Sequence, residues 1–176
     1  MTMPDTQPFI SNARGTRRFA CSAVALQSVV VRADEKILLL ASPDRNPGEG
    51  WQTASGAMEA GETILDGVLR ETREELGADL RLHPLGTVHV QSFHYDEKVQ
   101  YMIAIYYLLA YEGGEVQPGD DMLGSQYRWW SLAELADENV KVVVPPGQKW
   151  IFERAIELYR LWKGGTWELQ MSDLWR

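Results

Sequence analysis

The stretch from Gly56 to Ala78, GAMEAGETILDGVLRETREELGA, constrains this chain more than any other. Apolar residues recur there at helical spacing from Glu62 to Leu76, and Gly77 supplies the stop. With Glu71 set at zero on a helix turning about 100° per residue, Glu74 falls near 300° and Glu75 near 40°. Three carboxylates therefore share an arc of roughly 100°. Leu65, Val68, Leu69 and Leu76 fill a separate arc, roughly 60° to 160°, able to face a core. Asp66 and Arg73 point to solvent.

Three Glu side chains at these spacings repel one another and add nothing to helix stability. An acidic face that simply meets water is the plain reading of such a cluster. A hard cation with oxygen ligands would relieve the repulsion, and Mg²⁺ fits, with Mn²⁺ as the alternative. Gly67 lies on the acidic face one turn before Glu71. A glycine inside a helix costs about 1 kcal/mol against alanine, which makes sense where something bulky must approach. Arg70 borders the face, where it can hold a carboxylate or meet a phosphate.

The net charge of −8 argues against a nucleic-acid partner, despite the basic cluster Arg14, Arg17 and Arg18. An acidic enzyme acting on an anionic phosphate needs something to offset the repulsion, and a divalent cation serves. Cys21 is the single cysteine, so no intrachain disulfide can form, and a cytoplasmic location follows. No run of eighteen apolar residues is present to cross a membrane.

The pattern predicts a loose N-terminal arm over 1–18, one domain over 19–163 and a tail over 164–176. Within the domain, Phe19 to Arg32 and Lys36 to Ala41 read as a hairpin, and Ser42 to Gly50 as loop. Trp51 to Ser55 is a brief extended piece. Leu85 to Tyr95 and Val99 to Tyr111 read as a second hairpin joined at Asp96-Glu97-Lys98. Tyr127 to Trp130 is a short strand, and Ser131-Leu132-Ala133-Glu134 a capping box. A last helix spans about Gln148 to Lys163, after Pro145-Pro146-Gly147. The tail carries Trp167 and Trp175, which can pack back or meet another subunit, so a homodimer is compatible with the sequence. Mixed strands with two main helices give an α/β layered domain.

Gly56, Glu62, Arg70, Glu71, Glu74, Glu75 and Gly77 together resemble the Nudix box. Ser55, Thr72 and Ala78 depart from the usual pattern. The resemblance extends over roughly 20–162, through Gly50-Trp51 before the box and Tyr127-Arg128-Trp129 with Ser131 to Leu135 after it. It implies an α/β/α sandwich with a mixed β-sheet, the box forming loop, helix and loop. It further implies that Glu71, Glu74 and Glu75 bind the metal, with the Ser55 carbonyl as a further ligand. Arg70 would orient Glu71, Glu62 would support the helix, and Gly56 and Gly77 would set the turns at its ends. The implied reaction is attack of water on a diphosphate phosphorus.

Asp120 and Asp121, or a box glutamate, are the candidate general bases. Trp51, Tyr95, Arg45 and Trp129 are candidate substrate contacts, and Phe93, Tyr101 and Tyr106 are further aromatics able to stack on a base. His83, His89 and His94 read as structural. The expected substrate is a small nucleotide-like molecule, a nucleoside diphosphate linked to another moiety. A sanitising hydrolase of modified nucleoside triphosphates is the alternative within enzymes. A non-catalytic ligand-binding module of the same fold is the alternative from another class.

Overall fold

A computed structural model describes residues 8–41, 50–119, 122–144 and 148–163. Strands β1 (Phe9–Ser11) and β2 (Arg18–Ala20) pair antiparallel with each other, apart from the main sheet. The described part of the expected arm over 1–18 thus carries a small hairpin, and residues 1–7 lie outside the described residues. Asn12 closes the turn between them, its Oδ1 accepting from the backbone N–H of Thr16 and Arg17. The expected strand from Phe19 is thereby broken, and β3 runs over Ala23–Val31.

β3 and β4 (Ile37–Ala41) form the expected antiparallel hairpin. Its turn places Glu35 at φ 62°, and Glu35 also pairs with Arg160 of the last helix. β5 (Trp51–Gln52) and β6 (Ala54–Ala57) lead to helix α1 (Ile64–Leu76). β7 (Arg81–Phe93) and β8 (Met102–Gly113) form the second antiparallel hairpin. Its loop is longer than expected because Asp96 Oδ1 accepts from the N–H groups of Lys98 and Val99. β9 (Gln126–Trp130), α2 (Leu132–Leu135), β10 (Val142–Val144) and α3 (Trp150–Trp162) complete the described chain. At α2 both halves of the capping box between Ser131 and Glu134 form. These bonds, with Arg128, push the Glu134 carboxyl down to about 2.

The main sheet runs β10-β5-β4-β3-β8-β7, with β6 also on β3 and β9 also on β4. β3–β8 and β10–β5 are parallel and the other pairs antiparallel, so the sheet is mixed. The central strands are covered on both sides, which is why Ile37 to Ala41 is a continuous apolar run. Alternation splits the core in two. Leu26, Val30, Leu38 and Leu40 pack with Val68 and Leu76 of α1. Val29, Ile37 and Leu39 pack with Ile151, Phe152, Ala155 and Ile156 of α3. The result is the expected α/β/α sandwich. β10 was not anticipated: it is a short parallel strand positioned by the Trp51 N–H donating to the Lys141 carbonyl. Among the described residues, no helix is long and apolar enough to cross a membrane.

Candidate active site

Thr63 caps α1, its hydroxyl accepting from the Asp66 N–H at 3.2 Å. The helix therefore starts two residues later than Glu62, which stays in the preceding loop. Glu62 turns back instead: its Oε1 accepts from the Glu59 N–H at 2.6 Å and its carboxylate meets Arg70. At the other end Gly77 has φ 123°, and an added Cβ would sit 3.0 Å from the Glu115 carbonyl oxygen. A glycine is required there on both counts.

Arg70 is the hub of the acidic face. Its guanidinium donates to Glu62 through Nε at 3.1 Å and Nη2 at 2.9 Å. Nη1 donates to Glu71 at 2.8 Å and Glu74 at 3.0 Å, and Nη2 reaches the Ala57 carbonyl at 3.2 Å. The Arg70 pKa rises above its ordinary value, with Glu62 the largest cause. Glu71 differs from its neighbours. Burial pushes its carboxyl above the usual range, against the opposing pull of Arg70.

Strand β6 presents its backbone to this cluster. In an antiparallel ladder, alternate residues turn both backbone bonds away from the partner strand. Ser55 and Ala57 are such residues. The Ser55 N–H donates to Glu75 Oε2 at 2.7 Å, and the Ala57 carbonyl accepts from Arg70. Ladder geometry turns the Ser55 carbonyl to the same side as its N–H. Glu75 is only 7% exposed, so the sheet edge fixes this carboxylate.

Gly56 sets no turn, contrary to expectation. It pairs with Leu26 inside β6, and an added Cβ would fall on the Glu71 carboxyl group. Gly67 also has a different cause from the one expected. Leu26 and the Glu62 carboxylate approach it, each 2.5 Å from where a Cβ would lie. Thr72, a departure from the usual aliphatic, is buried and shares a 2.5 Å hydrogen bond with Ser28.

The loop after β8 closes over the C-terminus of α1. The Gln117 N–H donates to the Leu76 carbonyl, and the Gly119 N–H to that of Glu75. Asp120 and Asp121 follow directly but lie outside the described residues, as does Arg45.

On the α3 side of the sheet, Ser55, Gly56 and Ala57 form one wall of a cavity of about 520 Å³. Phe93, Tyr95, Met102 and Tyr106 supply apolar and aromatic surface, and Gln27, Gln91 and Gln148 supply amides. Of the expected substrate contacts, Tyr95 lines this cavity. Trp51 does not. It is buried in the core, edge-on to Trp130 at 5.0 Å between centroids. Trp129 packs edge-on against Tyr111 and under Arg32 on the α1 side. Tyr101 lines a separate surface depression near Cys21. His89 lies between Tyr106 and Trp150, consistent with a structural role. Gln91 and Gln148 escaped the sequence reading. The one available signal was alternation, which puts Gln91 and Phe93 on the same face of β7.

Among the described residues, no three His, Cys, Asp or Glu side chains stand together as a group able to hold a metal ion. Glu71 and Glu74 are drawn to Arg70 and Glu75 to the Ser55 N–H. Their donor chemistry nonetheless fits a divalent cation. Three carboxylates share one guanidinium, so negative charge is in excess, and Glu71 is partly desolvated. Hard carboxylate oxygens in excess suit a hard ion.

An acidic helix face held by one arginine, backed by a strand glycine and a neutral cavity, defines a class, and the profile of the NUDIX domain matches residues 23–151. The chain belongs to the Nudix family and is a hydrolase acting on phosphoric anhydride bonds. Nudix hydrolases generally need a divalent metal ion and act on small nucleotide-like substrates. The chain is similar to an ADP-ribose pyrophosphatase of Methanocaldococcus jannaschii, with 29% identity over 150 residues, 85% of this chain and 79% of that one. It is also 30% identical over 141 residues to an NAD-capped RNA hydrolase of Pseudomonas aeruginosa. That match covers 80% of this chain but 45% of the relative, so the chain spans about half that protein's length. Among solved structures, an ADP-ribose pyrophosphatase from Streptococcus suis superposes with a TM-score of 0.62 at 20% identity. The match covers 80% of this chain and 93% of that one, and it shows the shared fold.

Proposed function

We propose that this enzyme hydrolyses a diphosphate linkage joining a nucleoside to another moiety, with Mg²⁺ as its ion, in the cytoplasm. One observation carries the reading. The Glu71 carboxyl lies against Gly56, and the same strand residue lines a neutral aromatic and amide cavity of about 520 Å³. An anionic phosphate chain and an uncharged nucleoside thus have adjacent places. The similarity to a pyrophosphatase named for ADP-ribose, itself a nucleoside diphosphate joined to a sugar, supports it.

Glu71, Glu74, Glu75 and the Ser55 carbonyl would hold the ion. When bound, Mg²⁺ lowers the pKa of a coordinated water and offsets phosphate charge. The chain's own part is positioning. Arg70 keeps Glu71 and Glu74 together, and the Ser55 N–H keeps Glu75 against the sheet. Gly56 leaves the Glu71 carboxyl room beside the strand.

The proton of the attacking water needs an acceptor within hydrogen-bond reach. Asp120 and Asp121 are the proposed acceptors, because their neighbour Gly119 is bonded to the Glu75 carbonyl. The double Asn variant is expected to lower kcat by about 10²–10⁴ with little change in KM. Near-normal kcat would move the role to a box glutamate.

Products identify the bond cleaved. With Mg²⁺ and a panel of dinucleotides, nucleoside diphosphate sugars and triphosphates, the expected products are a nucleoside monophosphate and a phosphorylated partner. Preferential release of pyrophosphate from triphosphates would replace this reading with the sanitising one.

A further inference from the structure

The cavity holds a hydrogen-bonded chain that the hydrolytic chemistry does not use. Gln91 Nε2 donates to the Tyr106 hydroxyl oxygen at 3.1 Å, and Gln148 Nε2 donates to Gln91 Oε1 at 3.0 Å. All three residues line the cavity. Gln148 Oε1, at the end of the chain, is shielded from water and has no partner among the described residues. A buried acceptor left unpaired carries its full desolvation penalty, so a small turn of the Gln148 side chain that brings it to a ligand's donor is favoured.

The chain has two states that keep the same number of internal hydrogen bonds. An amide can turn end for end, exchanging its oxygen and nitrogen, and a hydroxyl can donate or accept. When both amides turn, the Tyr106 hydroxyl donates to Gln91 Oε1 and Gln91 Nε2 donates to Gln148 Oε1. Both internal hydrogen bonds survive. The free end changes from the acceptor Gln148 Oε1 to the donor Gln148 Nε2, and the Tyr106 hydroxyl changes from acceptor to donor. Gln27 Oε1 is taken by the Thr53 hydroxyl, and among the described residues no charged side chain lines the cavity. Phe93, Tyr95 and Tyr106 suit a flat ring, and the free amide end suits one polar edge of it.

The geometry points to Tyr106, Gln91 and Gln148 as a reversible relay that reads the polar edge of a nucleobase and accepts amino and keto edges alike. This rests on the cavity being the nucleoside's seat, as proposed above. Adenine and cytosine present an amino donor, and hypoxanthine and uracil present a keto acceptor in its place. A fixed amide would leave one kind unpaired and reject it. A relay that turns at no cost in internal bonds pairs with both.

Two substitutions lock the relay in the same sense. In Gln148→Glu, both terminal oxygens are acceptors. In Gln91→Glu, the carboxylate accepts from both Tyr106 and Gln148 Nε2, which holds Gln148 Oε1 as the free end. Gln91 thus acts on the base through Gln148, as a positioning residue.

Binding of AMP, IMP, CMP and UMP by titration calorimetry near pH 8 tests this apart from turnover, with each variant's thermal midpoint as the check on folding. The wild type is expected to bind AMP and IMP within about threefold of each other, and CMP and UMP likewise. Both variants are expected to favour the amino partner of each pair by about tenfold or more. If Gln148→Glu does not fold, Gln91→Glu decides alone. An unchanged amino-to-keto ratio in a folded variant overturns the relay. So does a wild type that prefers one edge tenfold, or one that binds no nucleotide. Edge-tolerant binding without hydrolysis of any diphosphate-linked substrate would leave the relay standing and sink the proposed reaction.

Discussion

Replacing Glu71 with Gln is expected to lower kcat by about 10²–10³ while the protein stays folded. Burial holds this carboxyl above the usual range, while the Arg70 guanidinium 2.8 Å away works to keep it charged. A group kept partly desolvated and ionised serves chemistry more than stability. The amide is nearly isosteric and its oxygen can still accept from Arg70 Nη1, so the local hydrogen bond survives. The charge does not. The thermal midpoint without divalent ions is therefore expected to hold or rise, while turnover falls. Steady-state kinetics with a saturating diphosphate-linked substrate reads the first effect, and calorimetry the second. A variant within threefold of the wild-type rate would remove Glu71 from the chemistry.

Gly56→Ala is expected to lower kcat by about 10² through displacement of Glu71. Gly56 has no positive φ and sits in a regular strand pairing, so its backbone accepts alanine. The new methyl group would land on the Glu71 carboxyl, which is the far end of a flexible side chain and can swing aside. Swinging aside costs little stability, within about 1 kcal/mol. It takes the carboxyl away from Arg70 and from its seat beside the strand. Loss of rate with a near-normal midpoint distinguishes this from damage to the fold. Full activity in the alanine variant would show that the position of Glu71 beside β6 is not required.

Local features of α1 were legible in the sequence because helical periodicity fixes faces without any partner. The wheel put Val68 and Leu76 toward a core and Glu71, Glu74 and Glu75 on a neighbouring face, and the structure has them so disposed. It could not show that Glu75 would be claimed by a backbone N–H of β6, because that contact joins residues 20 positions apart. The same limit hid the reason for Gly56. A glycine before a helix suggests a turn, and only the packed structure shows a carboxyl pressed against it. Aromatic residues misled for a related reason. Trp51 and Tyr95 look alike as candidate platforms, yet one is buried against Trp130 and the other is 63% exposed at the cavity. The short strands β1, β2 and β10 carry too few residues for alternation to register.

Titration of Mn²⁺ into the protein, followed by paramagnetic resonance, bears on the acidic face of α1 itself. Mn²⁺ shares the oxygen-ligand preference of Mg²⁺, and bound and free forms differ in signal. The wild type is expected to take up Mn²⁺ in competition with Mg²⁺. A folded variant carrying Glu71→Gln, Glu74→Gln and Glu75→Gln together is expected to leave it free. Uptake by that variant equal to the wild type would place the ion elsewhere and contradict the assignment of this helix face as the metal-dependent catalytic centre.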